Sequence, residues 1–193
     1  MYPNIEVPFE LGSFDTMSKR EADHFFMWFL ENRKNRIQVL VDYYESTGGG
    51  SPKDLDLTTK SLNLLWNWFV PRIVQIKKTS EELAEENEQL PWWIKTECSE
   101  NEYKLSKETE IMIMDIGLYF GEVLIQQFVQ LKWGIIYKPR NFVDVNRPII
   151  VGFNKNMTLN PVRVVNTCTY KAAKGIQSND LYSLYQIWAE YVE

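Results

Sequence analysis

Residues 115–124 read DIGLYFGEVL, a stretch that is apolar almost throughout but carries Gly117, Gly121 and Glu122. It lies within a longer run in which apolar residues recur at spacings of three and four, and their neighbours are apolar as well. A helix that is apolar over most of its circumference is typical of one buried among others. The stretch therefore predicts the central helix of a bundle, over about residues 106–131, with Ser106 as its N-cap.

Helix-start signals elsewhere in the chain predict further helices. Ser18 and Glu21 form a capping box, and helical spacing then continues to Tyr44 as one long or two shorter helices. A second helix is predicted over about residues 58–69, with an interruption at Pro71 and a tail to about residue 78. The remaining helix starts are predicted at Thr79, Asn160 and Ser178.

Two stretches that follow the central helix have strand character. Residues 133–137 and 147–153 are short, rich in β-branched residues and bounded by Pro139, Pro148 and Gly152, a pattern of paired strands. We therefore expect a mainly α (α+β) fold with about six or seven helices. They form a helical bundle around one central apolar helix, together with a small antiparallel β-hairpin or three-stranded sheet.

Length and composition favour a globular chain. The 193 residues suit a single domain, 1–193, with an extended N-terminal arm at 1–16 and an acidic segment at 79–104. The longest apolar stretch, 111–125, is interrupted by acids and is too short to span a bilayer. We therefore expect no membrane partner.

The cysteines and the first residues favour a cytoplasmic protein. The start, MYPNIEVPFE, has no basic region followed by an apolar one, so no secretory signal is expected. Cys98 and Cys168 lie far apart and are then expected to be reduced thiols rather than a disulfide.

The net charge of −5 is concentrated in one segment. Residues 79–102 carry eight acids and one base, a local charge of −7, so the rest of the chain carries +2. Nucleic-acid binders usually show a basic stripe interleaved with aromatic residues, so no nucleic-acid partner is expected. An acidic segment is most often a solvated face, but clustered carboxylates also accelerate association with a basic partner. The partner-binding residues predicted here are Glu81, Glu82, Glu85, Glu86, Glu88, Trp92 and Trp93.

Trp92 and Trp93 stand apart from the other tryptophans, because two adjacent indoles cannot both face inward from a simple helix. Aromatic residues of this kind often anchor a binding partner; alternatively, they pin the acidic segment onto the bundle. Trp68 lies off the apolar stripe of its helix and is expected to be partly exposed. The tryptophans expected in the core are Trp28, Trp66, Trp133 and Trp188.

The two glycines of the opening stretch indicate close packing. Gly117 and Gly121 lie on one face of the helix, and a glycine inside a helix costs about 1 kcal/mol relative to alanine. Glu122 beside them is expected to be paired with Arg72, Arg163 or a backbone amide, because an unpaired buried charge is very costly. Gly117, Gly121 and Glu122 are therefore predicted to be structural.

An enzymatic alternative uses the same helix. Asp115, Tyr119 and Glu122 form a polar stripe, and Glu122 with Asp115 in a cleft is a candidate acid/base pair. Carboxylates seven residues apart are separated by about 10 Å along the axis, which is wide for a shared metal, and the Glu-x-x-His motif of di-metal bundles is absent. His24, the only histidine, is more typical of a helix surface or a satisfied core than of a catalytic base. With no phosphate loop, nucleophile elbow, dinucleotide fingerprint or zinc spacing in the chain, no catalytic residue, cofactor or metal is predicted.

Two parts of the chain resemble known families. MSKREADHFFMWFLENRKNRIQVL (Met17–Leu40) is similar to the opening of small uncharacterised proteins of Gram-positive bacteria, where an aromatic helix leads to an Arg-Ile pair, here Arg36-Ile37. IGLYFGEVL, LKWGI, RPIIVGF and NPVRVV resemble bacterial domains of unknown function that include presumed immunity proteins of polymorphic-toxin systems. There a Gly-x-Tyr-x-Gly-Glu helix precedes a Trp strand, a second strand and an Asn/Ile-Pro helix. The resemblance implies this fold and a binding role, and it carries no catalytic residue.

The leading hypothesis is a non-catalytic cytoplasmic protein that binds another protein, as an immunity-type protein neutralises a basic toxin domain. The alternative is an enzyme of unknown reaction that uses Glu122 and Asp115, and a third hypothesis is a structural or regulatory subunit.

Overall fold

Helices dominate the fold. The computed structural model describes residues 1–89, 102–176 and 180–192, and this part of the chain contains six α-helices and two antiparallel two-stranded sheets. The helices are α1 (Lys19–Ser46), α2 (Thr59–Phe69), α3 (Ser80–Gln89), α4 (Lys107–Gln127), α5 (Pro161–Ala173) and α6 (Leu181–Ala189). The strands are β1 (Gln75–Lys77), β2 (Tyr103–Leu105), β3 (Lys132–Gly134) and β4 (Ile149–Val151). The mainly helical class predicted from the sequence is confirmed.

Polar caps begin the helices at most of the predicted positions. Ser18 accepts from the Glu21 amide and Glu21 accepts from the Ser18 amide, so the capping box is present. From there α1 runs for 28 residues as one helix. The other predicted caps that the structure confirms are Thr79 of α3, Ser106 of α4 and Asn160 of α5.

Two helix ends differ from the sequence prediction. The N-cap of α6 is Asp180, whereas the predicted cap Ser178 lies outside the described residues. Helix α4 ends at Gln127 rather than near residue 131, because Phe128 adopts an extended conformation (φ −128°, ψ 104°). The chain then turns, and the Leu131 amide donates to the Phe128 carbonyl at 3.0 Å.

The chain after α2 forms a strand, so the predicted helical tail to Lys78 is wrong. Pro71 has no amide hydrogen to continue the helical ladder, and the chain passes through a short 3-10 turn, Val70–Arg72, into β1. Strand β1 pairs antiparallel with β2, with Gln75 opposite Leu105. We call this pair the β1–β2 ribbon; the sequence pattern does not predict it.

The second sheet lies where strands were predicted. Strands β3 and β4 pair antiparallel, with Lys132 opposite Val151. A further bridge joins Ile150 to Leu159. The small sheet is therefore a two-stranded pair with one added bridge.

Helix α4 buries most of its length. It contacts α1, α2, α5 and α6, and Ile116, Tyr119 and Phe120 have no exposed surface. The extended arm at its side, residues 1–17, contains no helix or strand. Arg36 of α1 holds the arm by donating to the carbonyls of Pro3 and Asn4, each at 3.2 Å.

Candidate functional site

Helix α3 carries the five glutamates that were predicted to bind a partner. A capping box fixes its start: Thr79 Oγ1 accepts from the Glu82 amide at 3.2 Å, and the Glu82 carboxylate accepts from the Thr79 amide at 3.0 Å. Ser80–Gln89 contains acids and no base. Carboxylates in the first turn are favoured there because the helix dipole is positive at its N-terminus.

Two of these glutamates tie α3 to the β1–β2 ribbon. The ammonium of Lys104, on β2, donates to Glu82, and that of Lys78, next to β1, donates to Glu86 at 2.6 Å. The Lys78 side chain is only 6% exposed, whereas that of Glu86 is 57% exposed. The hydrogen bond from Lys104 is the main reason why the pKa of Glu82 lies below its usual value. Glu82 and Glu86 therefore form an anchoring face.

The other three glutamates form a second face of α3. Glu81, Glu85 and Glu88 are spaced by four and three residues, which places them in one stripe about 100° around the axis from Glu82 and Glu86. All three are exposed, and no lysine or arginine of the described residues lies within ion-pair distance of them. The pKa of Glu81 lies below its usual value, chiefly because its carboxylate accepts from its own backbone amide. We call Glu81, Glu85 and Glu88 the outer acidic stripe.

Exposed apolar side chains lie on the ribbon to which α3 is tied. Val74, just before β1, and Ile76 and Tyr103 on the strands are 52%, 42% and 51% exposed. We call these three residues the ribbon patch. Trp92 and Trp93 lie outside the described residues, so their proposed role in binding stays a prediction.

Three carboxylates of α4 lie at intervals of seven residues and face α1. Residues later in α1 contact residues earlier in α4, so the two helices run antiparallel. We call this set the α1–α4 ladder; its pairs are Tyr43–Glu108, Arg36–Asp115 and Arg33–Glu122.

Asp115 is the most deeply buried member of the ladder. The residue is 1% exposed, and its carboxylate accepts from the Tyr2 hydroxyl at 2.5 Å and from Arg36 Nε and Nη2 at 3.0 and 2.6 Å. Burial raises the pKa of Asp115, although the hydrogen bonds from Arg36 and Tyr2 oppose this shift. Arg36 and Tyr2 together satisfy both carboxylate oxygens.

Glu122 is paired, but not with the predicted arginines. Trp133 Nε1 donates to its Oε1 at 2.7 Å, and Arg33 Nε lies 3.2 Å from the same oxygen, with side-chain exposures of 29% for Arg33 and 20% for Glu122. The Arg33 Nε–H does not point along a hydrogen bond to any described acceptor, so this contact is an ion pair only. Arg72 instead donates to the carbonyls of Trp68 and Thr47, and Arg163 pairs with Asp144.

The predicted polar stripe is divided between two neighbours. Asp115 and Glu122 contact α1, whereas the Tyr119 hydroxyl accepts from the Leu57 amide at 2.9 Å and shares a 2.6 Å hydrogen bond with Ser61 of α2. Each of the three polar side chains is therefore engaged by protein groups and joins α4 to another part of the fold.

The glycines of α4 make room for two different neighbours. A Cβ on Gly117 would lie 2.7 Å from the Cα of Val162, so the backbones of α4 and α5 meet there. A Cβ on Gly121 would lie 2.6 Å from the ring of Trp133, whose indole donates to Glu122. Gly117 therefore lies against the backbone of another helix, as the sequence predicts for both glycines, whereas Gly121 lies against a side chain.

Two aromatic predictions have opposite outcomes. Trp68 was expected to be partly exposed but is 5% exposed, because its indole donates to Thr47 Oγ1 at 3.0 Å and the Arg72 guanidinium lies 4.8 Å from the ring centre. His24 is exposed on α1 and stacks on Phe9 with ring centres 4.2 Å apart. This location agrees with a helix-surface histidine.

Sequence reasoning missed the α1 side of the ladder and one α4 carboxylate, Glu108. Two signals were available: the repeat of seven through Glu108, Asp115 and Glu122, and the spacing of three between Arg33 and Arg36. Repeats of three, four and seven place side chains on one helix face. These spacings indicate that the two arginines lie on one face of α1 and can pair with carboxylates on one face of α4.

Comparisons with protein-family models, with curated proteins and with solved structures find no match to this chain. Among residues 1–89, 102–176 and 180–192, no group of three or more histidine, cysteine, aspartate or glutamate side chains is placed to hold a metal ion. No helix in the same ranges has the length and apolar composition that a membrane crossing requires. The thiol of Cys168 is buried and free, and Cys98 lies outside the described residues.

Proposed function

We propose that this chain is a non-catalytic cytoplasmic protein that binds a basic protein partner through the outer acidic stripe, as an immunity protein neutralises a toxin domain. The observation that carries the proposal is that the glutamates of α3 fall into two sets with different surroundings. Glu82 and Glu86 are used to anchor the helix, whereas Glu81, Glu85 and Glu88 project into solvent.

The outer acidic stripe and the ribbon patch supply complementary parts of an interface. Carboxylates that face solvent steer a basic partner and raise its association rate. The exposed apolar side chains of the neighbouring ribbon supply the surface that loses its water when the partner binds. Such a surface suits the core of an interface, which is depleted in charged residues and enriched in aromatic ones. The tether between Lys104 and Glu82 holds the two surfaces in a fixed relation.

The paired carboxylates of α4 support a structural use of this helix. Asp115 and Glu122 are the residues that the enzymatic alternative requires, and each is engaged by an arginine of α1. We therefore propose that α4 is the central scaffold of the bundle and that the partner binds to the outer surface of the protein.

The test begins with the full chain used as bait in a lysate of the organism that encodes it, at low and at high salt. A captured protein is then purified and its association rate is measured with the unmodified chain and with two triple variants. The test variant is Glu81→Lys, Glu85→Lys and Glu88→Lys. The control variant is Glu31→Lys, Glu45→Lys and Glu190→Lys, which makes the same change of charge at exposed glutamates elsewhere.

We expect the test variant to lower the association rate at low salt by about tenfold or more, and the control variant to lower it much less. The difference should shrink at high salt, because salt screens exposed charges. Capture of no stoichiometric basic protein, or an equal effect of both variants, would overturn the proposal. Melting temperatures of both variants confirm that they remain folded.

A further inference from the structure

The exposed side chains of residues 123–176 carry an excess of positive charge. This part of the chain carries eight cations and one acid, a net charge of +7, and all eight cations are exposed. The acid, Asp144, is 2% exposed and is bound by Arg163 at 2.7 Å and by Asn160 at 2.8 Å. The cations are Lys132, Lys138, Arg140, Arg147, Lys155, Arg163, Lys171 and Lys174. Such a surface attracts anions.

Within this surface, the loop between β3 and β4 meets the end of the N-terminal arm around a hollow of about 320 Å³. Arg140 and Arg147 line it together with Phe14, Phe142 and Asp15. The volume lies at the lower end of the range of about 300–1,000 Å³ that small-molecule sites occupy.

Both arginines are held in place by the arm. Arg140 Nη1 donates to the carbonyl of Met17 at 2.6 Å, and the Arg147 guanidinium lies over the Phe14 ring, 4.3 Å from its centre. Arg140 Nη1 also donates to the Asp15 carbonyl at 3.5 Å, whereas Nε and Nη2 of Arg140 and the guanidinium N–H groups of Arg147 donate to none of the described residues. Fixed guanidinium groups with free donors are suited to binding an oxyanion through paired hydrogen bonds.

Asn146 makes the hollow rigid by joining its two walls. Its side chain is fully buried and Nδ2 donates to the carbonyls of Phe14 and Met17 at 2.7 and 3.2 Å. Its own amide donates to the Ile136 carbonyl at 2.8 Å. The backbone of Asn146 is left-handed, with φ at 59°, a conformation that asparagine tolerates better than most residues. A site preorganised in this way binds with a smaller entropic penalty.

We propose that this hollow binds a small-molecule phosphate monoester with an apolar or aromatic substituent. Two arginines and Asp15 give the hollow a net charge of +1, and a monocarboxylate offers it one negative charge and two acceptor oxygens. A phosphate monoester carries about −1.5 to −2 at neutral pH and has three acceptor oxygens, enough to engage both arginines. Phe14 and Phe142 then contact the substituent. The site is separate from the outer acidic stripe and does not depend on the function proposed above.

The test measures binding of phenyl phosphate, inorganic phosphate and benzoate to the full chain by calorimetry and by NMR titration. Three variants are compared: Arg147→Gln, Asp15→Asn and the control Lys132→Gln, which removes a cation of the same surface outside the hollow. Melting temperatures establish that each variant is folded.

We expect phenyl phosphate to bind more tightly than inorganic phosphate or benzoate. Arg147→Gln should weaken its binding by about tenfold or more, because a charge-assisted hydrogen bond is lost, and Lys132→Gln by less than about twofold. Asp15→Asn should tighten binding several-fold, because a like charge is removed. Absence of saturable binding, equal losses in Arg147→Gln and Lys132→Gln, or benzoate binding as tight as that of phenyl phosphate would overturn the proposal.

Discussion

The hydroxyl of Tyr2 donates a 2.5 Å hydrogen bond to Oδ2 of Asp115, 113 residues further along the chain, and both side chains are buried. Arg36 binds the same carboxylate and also the carbonyls of Pro3 and Asn4. One buried cluster therefore joins the N-terminal arm, α1 and α4. The arm is part of the folded structure rather than a loose extension.

Replacement of Tyr2 by phenylalanine tests this link. Tyr2→Phe keeps the ring and removes the donor, and a hydrogen bond to a charged group contributes about 1.5–3 kcal/mol. We expect the free energy of unfolding, measured with urea, to fall by that amount. Tyr103→Phe is the control, because Tyr103 is 51% exposed. Equal stability of the two variants would show that the hydroxyl of Tyr2 does not hold the arm.

Asp115 and Glu122 should differ strongly in their contribution to stability. Asp115→Asn removes the burial cost that raises the Asp115 pKa, but it leaves the Arg36 guanidinium, 12% exposed, without its counter-charge. Breaking a buried pair in this way costs about 3–5 kcal/mol. Glu122→Gln affects a partly exposed ion pair and should cost about 1 kcal/mol or less. Urea unfolding of both variants gives the comparison, and similar losses would contradict the ladder as described.

Glu122→Gln also separates the structural role from the enzymatic alternative. The amide keeps an oxygen that accepts from Trp133, so the melting temperature should change by only a few degrees. We expect no activity to depend on this side chain. Loss of a measured activity at an unchanged melting temperature would favour catalysis, and the matched variant Glu110→Gln, at an exposed position of α4, is the control.

Local signals in the sequence predicted most of the helices. The Ser18–Glu21 box and the caps Ser106 and Asn160 act through atoms three residues away, so a short stretch of sequence contains both partners. The glycines of α4 also carried a local signal. Glycine destabilises a helix relative to alanine, so its presence within a buried helix indicates that a neighbouring group packs closely against it.

Contacts between distant segments could not be predicted in the same way. Glu122 required a cation, but nothing local distinguishes Arg33 from Arg72 or Arg163 as its partner. The β1–β2 ribbon was missed because its strands have three residues each, and β1 is exposed at every position, so it lacks the alternation that marks a half-buried strand. The burial of Trp68 was also missed. Trp68 lies off the apolar stripe of α2, and its ring is covered by Arg72 and by Thr47, which precedes α2 in the chain.

The two glycines of α4 should respond differently to alanine. In Gly117→Ala the new Cβ meets the backbone of Val162, which cannot move aside without shifting α5, and overpacking of this kind costs about 1–3 kcal/mol. In Gly121→Ala the Cβ meets the Trp133 ring, so we expect the indole to move and its hydrogen bond to Glu122 to break. Urea unfolding and tryptophan fluorescence measure the two effects. Gly12→Ala is the control, since no atom of the described residues, apart from its own chain neighbours, lies within 4 Å of its added Cβ.

Tyrosine titration should weaken the fold at alkaline pH. Burial, followed by the hydrogen bond to Asp23, raises the pKa of Tyr137 from 10.0 to about 12. An acid whose pKa is raised in the folded state stabilises the fold fully below its unfolded pKa, and this contribution disappears as the pH rises through the folded value. Tyr137→Phe lacks the contribution throughout, so the stability gap between the unmodified chain and Tyr137→Phe should narrow from about pH 9 to about pH 12. Urea unfolding across this range measures the gap, and Tyr103→Phe supplies the reference for an exposed tyrosine. A gap that stays constant would mean that the Tyr137 hydroxyl titrates normally and that Asp23 does not hold it.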